Sequence, residues 1–259
     1  MPERIEIPES FPQVGGVGGR RVVITGAGRG LGELIAHAFS AAGAKVALVS
    51  RTEADLQEVA SALPGSSLIF CGDVRDAAFN EAVADGVVAE WGGLDVWICN
   101  AGISPIVTGP LKLEPEVWRD VIDVNLTGAF LGARAAARVM DRGGRLIFTG
   151  SVLADRPRKG LTAYSASKAG LVGLAKGLAL DLAPSGITVN VVAPGWFESP
   201  LADGFANNDR LAESILSHTA QRRWGRPVEL AGAFQFLASD SASFVTGTVV
   251  TIDGGYLLV

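Results

Sequence analysis

Short apolar runs alternate along most of the chain with segments of helical pattern, and this alternation constrains the fold more than any other feature. The runs are apolar almost throughout, as expected for strands that are covered on both faces. They occur at 21–25, 45–50, 66–71, 94–99, 145–149, 187–193 and 248–252. Helices are predicted between them at 30–42, 52–62, 75–90, 114–141, 163–183 and 228–238. The pattern predicts a doubly wound α/β domain with a parallel seven-stranded sheet and helices on both faces.

The length and charge of the chain favour one domain that binds a small molecule. Its 259 residues carry a net charge of -5 with no basic run, which argues against a nucleic-acid partner. We expect residues 1–19, which end in a glycine-rich stretch, to be a flexible leader, and residues 20–259 to form the single domain. Cys71 and Cys99 each end a predicted buried strand, which predicts free thiols in a reducing compartment.

The first ten residues lack the apolar core of a signal peptide. No window of about eighteen residues is apolar throughout, as a membrane-spanning helix would require. We therefore predict a cytoplasmic protein without a membrane partner.

A glycine-rich turn follows the first predicted strand and opens the first helix. It reads Thr25-Gly-Ala-Gly-Arg-Gly-Leu-Gly32, which is TGxxxGxG and not GxGxxG. Glycines there would let the backbone approach a pyrophosphate at the helix N-terminus, although such a turn can also be only a turn. The turn indicates a Rossmann-type dinucleotide site with candidate contacts Gly26, Arg29, Gly30, Leu31 and Gly32.

The end of the second strand bears on the choice of dinucleotide. Sites for NAD usually place Asp or Glu there, but this chain has Ser50 and Arg51. A guanidinium suits a 2'-phosphate, so we favour NADP over NAD, with Arg29 as a second cation. The rival carboxylates Glu53 and Asp55 are better explained as first-turn acids of a helix capped by Thr52.

Tyr164 and Lys168 are four residues apart, and Ser151 stands thirteen residues before the tyrosine. On a helix this spacing brings Tyr164 and Lys168 to one face, where an ammonium would lower the pKa of the phenol. Ser151 could bond the same substrate oxygen as the tyrosine. The alternative is an ordinary amphipathic helix with a buried tyrosine and an extended lysine.

These motifs, taken in order, resemble the short-chain dehydrogenase/reductase family from about Arg21 to the C-terminus. The resemblance places Asp73 and Val74 at the adenine and Asn100, Ala101 and Gly102 after the fourth strand, with Cys99 where the family usually has asparagine. It also assigns contacts with the cofactor to Pro194, Gly195, Phe197 and Ser199, the last in place of the usual threonine.

The resemblance implies a catalytic set of Asn125, Ser151, Tyr164 and Lys168. In it Tyr164 exchanges the proton of the substrate oxygen, Ser151 bonds that oxygen, and Lys168 binds the nicotinamide ribose and lowers the tyrosine pKa. Asn125 would connect the lysine to solvent through water.

Other polar and aromatic residues carry weaker indications. His37 and His218 have no partner at metal-ligand or triad spacing, so we predict surface or lid positions for them and no metal site. Trp196 and Phe197 are candidates for the substrate pocket. Arg156, Arg158 and Lys159 could meet a substrate carboxylate or simply form a solvated loop.

Three function classes remain open, and the first is favoured: an NADP-dependent oxidoreductase acting on a ketone or secondary alcohol. The intact catalytic set argues against a catalytically dead dinucleotide sensor, and the glycine spacing argues against a sugar-nucleotide epimerase. Within the first class, the segments 194–200 and 221–227 look most like members acting on sugar acids and polyols, of the gluconate 5-dehydrogenase kind. The alternative is a 3-oxoacyl-thioester reductase.

Two predicted helices carry small residues at helical spacing, Gly170, Gly173 and Gly177 on one and Gly128, Gly132 and Ala136 on the other. Glycine inside a helix is destabilising, so close approach of another backbone would explain it. The glycines could face the sheet of the same subunit. Because the family pairs these helices across a two-fold axis, we expect a homo-oligomer, in particular a tetramer.

Overall fold

The computed structural model describes residues 7–11, 14–104, 107–199 and 202–259. Its seven strands pair in parallel in the order β3-β2-β1-β4-β5-β6-β7. The strands are β1 (Arg21–Thr25), β2 (Lys45–Ser50), β3 (Ser67–Cys71), β4 (Val96–Cys99), β5 (Arg145–Thr149), β6 (Thr188–Pro194) and β7 (Val249–Ile252). The predicted doubly wound sheet is confirmed.

Helices cover both faces of this sheet. They are α1 (Gly30–Ala41), α2 (Glu53–Ala62), α3 (Ala77–Trp91), α4 (Pro115–Ile122), α5 (Gly128–Val139), α6 (Thr162–Leu182), α7 (Asp203–Ala206), α8 (Asp209–Ser217) and α9 (Val228–Ala238). Among the helices described, none has both the length and the apolar character needed to cross a bilayer.

Alternate residues of each strand point into two separate cores, which is why the strands are apolar on both sides. Ile24 packs with Phe39 of α1 and Phe234 of α9 in one core. Val23 and Trp97 pack with α3, α5 and α6 in the other. All five side chains are buried, so burial on both faces holds the sheet between its helices.

The predicted helix 114–141 is interrupted by a π-helical turn. The turn covers Asp123–Thr127, and α4 and α5 run into it from either side without a break. A π-turn inserts one extra residue per turn and is often found at functional sites. Here it contains Asn125, which is completely buried.

Two segments differ from the sequence-based expectations. The stretch after β6, expected to be irregular, contains α7 and α8. Part of the predicted leader packs on the domain, since Val17 is 1% exposed and the Val14 amide donates to Gln235 Oε1 at 3.2 Å. Residues 1–6 and 12–13 of that leader lie outside the described residues.

The helix glycines divide into two groups. A Cβ at Gly132 would lie 2.9 Å from Trp97 Nε1, and Cβ atoms at Gly128 and Gly170 would each lie 2.8 Å from a side chain of the same subunit. Around Gly173 and Gly177 a Cβ would meet nothing within 4 Å. The common external stripe that we predicted on each helix is therefore wrong for the α5 glycines and for Gly170.

The order of the strands reverses direction between β1 and β4. Helices then leave the sheet on opposite faces, so a crevice opens at the carboxyl ends of these two strands. This crevice positions the site.

Candidate functional site

A cavity of about 510 Å³ runs along the carboxyl ends of the strands. The structure brings every predicted site residue except Asn125 into its lining. These residues are Gly26, Arg29, Gly30, Leu31, Gly32, Ser50, Arg51, Asp73, Val74, Asn100, Ala101, Gly102, Ser151, Tyr164, Lys168, Pro194, Gly195, Phe197 and Ser199. Their roles remain predictions, but their grouping around one cavity requires the parallel topology.

The glycine turn lines one end of the cavity and packs closely on the backbone around it because its residues lack side chains. Gly26 has a φ of +69°, which disfavours other residues, and a Cβ there would lie 2.9 Å from the Cα of Ala101. A Cβ on Gly32 would lie 2.1 Å from the Gly26 carbonyl oxygen. The first turn of α1 is therefore open to an anionic ligand at its amide groups.

Asn100 holds three strand ends together. Its Nδ2 donates to the Thr25 carbonyl at 3.0 Å, and its backbone amide donates to Thr25 Oγ1 at 3.0 Å. Thr149 Oγ1, at the end of β5, donates to Asn100 Oδ1 at 3.2 Å. Sequence reasoning missed Thr25 and Thr149 as positioning residues, although each occupies the last position of its strand.

Two arginines, Arg29 and Arg51, line the cavity beside the end of β2 and make this part of it positively charged. Arg29 and Arg51 are exposed and form no hydrogen bond or ion pair through their side chains within the described parts of the chain. Asp55 also lines the cavity, close to Gly28 of the glycine turn. Thr52 is at the N-cap of α2 as expected, but its side chain makes no capping hydrogen bond, so the predicted capping box is wrong.

Asp73, at the end of β3, is paired with Arg75. Arg75 Nη2 lies 2.7 Å from Asp73 Oδ2, and its hydrogen bond holds the pKa of Asp73 below its ordinary value. Asp73 is therefore a fixed carboxylate at the cavity wall.

Ser151, Tyr164 and Lys168 meet near the centre of the cavity. Ser151 lies two residues after the end of β5, where its Oγ accepts from the Leu153 amide at 3.1 Å and faces Tyr164 closely enough to influence the pKa of the phenol. Lys168 lies one turn along α6 from the tyrosine, with its Nζ 5.5 Å from the centre of the Tyr164 ring. The predicted shared face of α6 is present.

The pKa of Tyr164 differs from the sequence-based expectation. Burial raises the tyrosine pKa to about 12, and the hydrogen bond with Ser151 only partly opposes this effect. Burial also lowers the pKa of Lys168 to about 8, since the ammonium loses hydration. The expected lowering of the Tyr164 pKa by Lys168 is therefore wrong for this structure.

Asn125 lies behind the cavity wall, where the π-turn directs its side chain at the segment after β4. Its Oδ1 accepts from the Ile103 amide at 2.7 Å, while Nδ2 contacts the Ile103 carbonyl and Ser167 Oγ, each at 3.0 Å. Asn125 therefore fixes Ile103, which lines the cavity, against α6.

The opposite end of the cavity is aromatic. Trp196 and Phe197 line it as proposed from the sequence, together with Phe205 of α7. The rings of Trp196 and Phe205 make an edge contact with centroids 5.0 Å apart.

The two histidines occupy different environments. His37 is 9% exposed on α1, so its predicted surface position is wrong, and burial lowers its pKa. His218 follows α8, where its Nδ1 lies 2.7 Å from the Ser214 carbonyl. In the described part of the chain, no three His, Cys, Asp or Glu side chains cluster closely enough to hold a metal ion.

Comparisons with known proteins find relatives that match nearly the whole domain. The family model described as enoyl-(acyl carrier protein) reductase matches residues 26–257. The 3-oxoacyl-[acyl-carrier-protein] reductase FabG of Escherichia coli is 37% identical over 243 residues, which cover 93% of this chain and 98% of that protein.

Solved structures of other proteins are also similar to this chain in fold and in sequence. A short-chain dehydrogenase from Burkholderia cenocepacia in complex with NADP is 34% identical with a TM-score of 0.86, covering 93% of this chain and 99% of the other. A protein from Agrobacterium tumefaciens, described provisionally as a gluconate dehydrogenase, is 27% identical with a TM-score of 0.88, covering 94% and 98%. Because these matches span nearly the whole domain, the chain belongs to the short-chain dehydrogenase/reductase family and is an NAD(P)-dependent oxidoreductase of that family.

Proposed function

We propose that the protein uses NADP(H) to interconvert a ketone and a secondary alcohol. One observation carries the proposal: Ser151, Tyr164 and Lys168 meet in the same cavity whose far end holds the unpaired guanidinium groups of Arg29 and Arg51. The first three residues suit proton exchange with a substrate oxygen. The two arginines suit a ribose 2'-phosphate, which distinguishes NADP from NAD.

The residues present fit a bound dinucleotide. A Cβ at Gly26 or Gly32 would collide with neighbouring backbone, so only glycine allows the tight turn that brings the first turn of α1 to the cavity. Asp73 and Val74 would hold the adenine, and the segment from Pro194 would hold the nicotinamide end. When bound, the nicotinamide supplies or accepts the hydride.

Tyr164 is the acid of the reduction. Because burial keeps its pKa near 12, the hydroxyl is protonated at neutral pH and can donate to a carbonyl oxygen. Ser151 bonds the same oxygen and keeps it within reach of the tyrosine. When the proton leaves, the Lys168 ammonium is the nearby charge that stabilises the phenolate.

Asn125 positions this set. Its hydrogen bonds with Ile103 and Ser167 hold the wall of the cavity against α6, on which Tyr164 and Lys168 lie. In the proposed function it also orders the water that returns a proton to Lys168, as the family resemblance implies.

Two substrate classes have specific support. A sugar acid or polyol is favoured by the likeness of the segment after β6 to members that act on such compounds. A 3-oxoacyl thioester is favoured by the identity with the E. coli 3-oxoacyl-[acyl-carrier-protein] reductase. Initial rates of NADPH oxidation with a panel of keto sugar acids, simple ketones and 3-oxoacyl thioesters separate the two. Lack of turnover with every member of the panel would contradict the proposed function.

We also propose that the protein is a homo-oligomer, in particular a tetramer, formed through α5 and α6. Gly173 and Gly177 are exposed on α6 and have no neighbour that explains a glycine. Phe130 of α5 and Leu180 of α6 are 41% and 79% exposed. A second copy of the same surface across a two-fold axis would cover these groups.

A further inference from the structure

A second cavity, of about 530 Å³, adjoins the aromatic end of the main cavity. Phe205 lines both cavities, so the two cavities adjoin at this side chain. Trp196 lines the main cavity, and the Arg158 guanidinium lies 5.5 Å from the centre of its ring. A substrate lying on Trp196 could therefore extend into the second cavity.

The lining of the second cavity is positively charged. It includes Arg156, Arg158 and Lys159, and no Asp or Glu occurs among the lining residues that the structure describes. Cations gathered without a carboxylate repel one another, so a cavity of this kind favours an anion.

Two of these cations, Arg158 and Lys159, have N–H groups that can donate hydrogen bonds to a ligand. Arg156 is used within the fold, where it donates to the Tyr256 carbonyl at 2.8 Å and to the main-chain oxygen of Val259. Within the described residues, the one hydrogen bond of the Arg158 guanidinium is a long one of 3.4 Å to Ser214 Oγ. Lys159 makes no hydrogen bond or ion pair within the described residues.

The loop that carries the cations is held in place, unlike the solvated loop that the sequence also allowed. The Thr108 amide donates to the Gly160 carbonyl at 3.0 Å, and the Leu161 amide donates to the Arg158 carbonyl at 3.2 Å. A Cβ on Gly160 would lie 2.7 Å from Val107 Cγ1, so the loop packs closely on the segment after β4. Thr162 then starts α6, so the position of the cations is coupled to that of Tyr164.

We propose that the second cavity binds an anionic group of the substrate, a carboxylate or a phosphate, while the substrate carbonyl lies at Ser151 and Tyr164. Arg158 and Lys159 provide the binding groups. The planar guanidinium can donate two parallel hydrogen bonds to such an oxoanion, and the ammonium adds a point charge. This inference rests on the proposed function, since it names the substrate class of the same site.

The test compares substrates that differ only in charge. A keto acid and its methyl ester are assayed with the wild-type protein and with the double variant Arg158→Gln/Lys159→Gln. We expect the double variant to raise KM for the acid by about tenfold or more, because charge-assisted hydrogen bonds are lost. The ester should keep its KM.

A matched control removes the same charges elsewhere. Lys45 and Arg142 are exposed and lie beside the amino ends of β2 and β5, at the opposite edge of the sheet. The variant Lys45→Gln/Arg142→Gln should leave KM for both the acid and the ester unchanged. An equal rise for acid and ester in the Arg158/Lys159 variant, or an equal rise for the acid in the control, would overturn the inference.

A second pair of substrates identifies the source of the anion. A 3-oxoacyl thioester of phosphopantetheine is compared with the same thioester of pantetheine, which lacks the phosphate. A KM effect of the Arg158/Lys159 variant on the phosphorylated thioester alone assigns the cavity to a carrier phosphate. An effect on keto acids alone assigns it to a carboxylate of the substrate.

Direct binding separates this inference from the proposed function. Calorimetric titration of the keto acid into the protein with NADP should show about tenfold weaker binding for the Arg158/Lys159 variant than for the control. If no ketone is turned over but this difference appears, the proposed function fails and the anion site stands. If turnover is normal and the titrations agree, the anion site is wrong.

Discussion

The Lys168 ammonium donates a 2.7 Å hydrogen bond to the carbonyl oxygen of Thr149, the last residue of β5. The Lys168 side chain is therefore hydrogen-bonded to the end of the sheet and not to the neighbouring Tyr164. It is 4% exposed, which explains why burial lowers its pKa to about 8. In the proposed function, a positive charge held in this position stabilises the Tyr164 phenolate, which forms only during the reaction.

Burial of Lys168 should make the stability of the protein depend on pH. Between pH 8 and the ordinary lysine pKa of 10.5, the unfolded state holds a proton that the folded state has lost. Stability should therefore rise across this window, by up to about 1.4 kcal/mol per pH unit relative to a Lys168→Met variant. Denaturant unfolding of both proteins at several pH values measures the difference.

Comparison with the variant removes the effects of other groups. Burial raises the pKa of Cys99, which opposes the lysine effect, but Cys99 is present in both proteins. A difference between the two unfolding free energies that stays constant from pH 7.5 to 10 would show that the pKa of Lys168 is not lowered.

The cofactor preference should follow the arginines at the end of β2. Arg51→Asp should lower kcat/KM for NADPH by about 10- to 100-fold, because it replaces a charge-assisted hydrogen bond to the 2'-phosphate with repulsion. NADH should be affected little or used better. Arg142→Asp, on the opposite edge of the sheet, is the control for charge. Equal use of NADH and NADPH by the wild-type protein would contradict the assignment of Arg51.

The glycines of α5 and α6 should respond differently to substitution. Gly173→Leu should break the oligomer without unfolding the subunit, since a Cβ there meets nothing within the subunit. Gly132→Ala should instead destabilise the subunit by about 1–3 kcal/mol, because its Cβ would lie 2.9 Å from the Trp97 indole. Light scattering during size-exclusion chromatography and thermal unfolding measure the two effects. A wild-type monomer of 26.8 kDa, or an intact oligomer in Gly173→Leu, would contradict the proposed interface.

The sheet could be predicted from the sequence because its inner strands are buried on both faces, which leaves a continuous apolar run such as Val22-Val23-Ile24. The direction in which an individual helix residue points could not be predicted from the sequence. Gly132 and Gly173 have equivalent patterns in sequence, but one meets Trp97 and the other faces outward. Periodicity gives a helical face and does not say which neighbour lies against it.

The grouping of several site residues could be predicted because Ser50, Asn100 and Ser151 lie at or just after the carboxyl ends of strands, which meet at one edge of a parallel sheet. The pKa values of the site residues could not be predicted from the sequence, since the pKa of Tyr164 depends on how deeply the side chain is buried. The π-turn at Asn125 was also missed, because an extra residue in a helical turn leaves the local pattern nearly unchanged. The second cavity could not be predicted either, since the loop before α6 forms it together with Phe205, Leu211 and Ser214, which lie about fifty residues further along the chain.

The most direct test of the account replaces Tyr164 with phenylalanine, which removes only the hydroxyl. With a ketone that the wild-type protein reduces, we expect kcat to fall by about 100-fold or more, since the general acid is lost. Binding of NADPH, followed by its fluorescence, should stay within about twofold, because the glycine turn and Arg51 are untouched. A Tyr164→Phe protein that keeps most of its kcat would contradict the central assignment of Tyr164 as the proton donor.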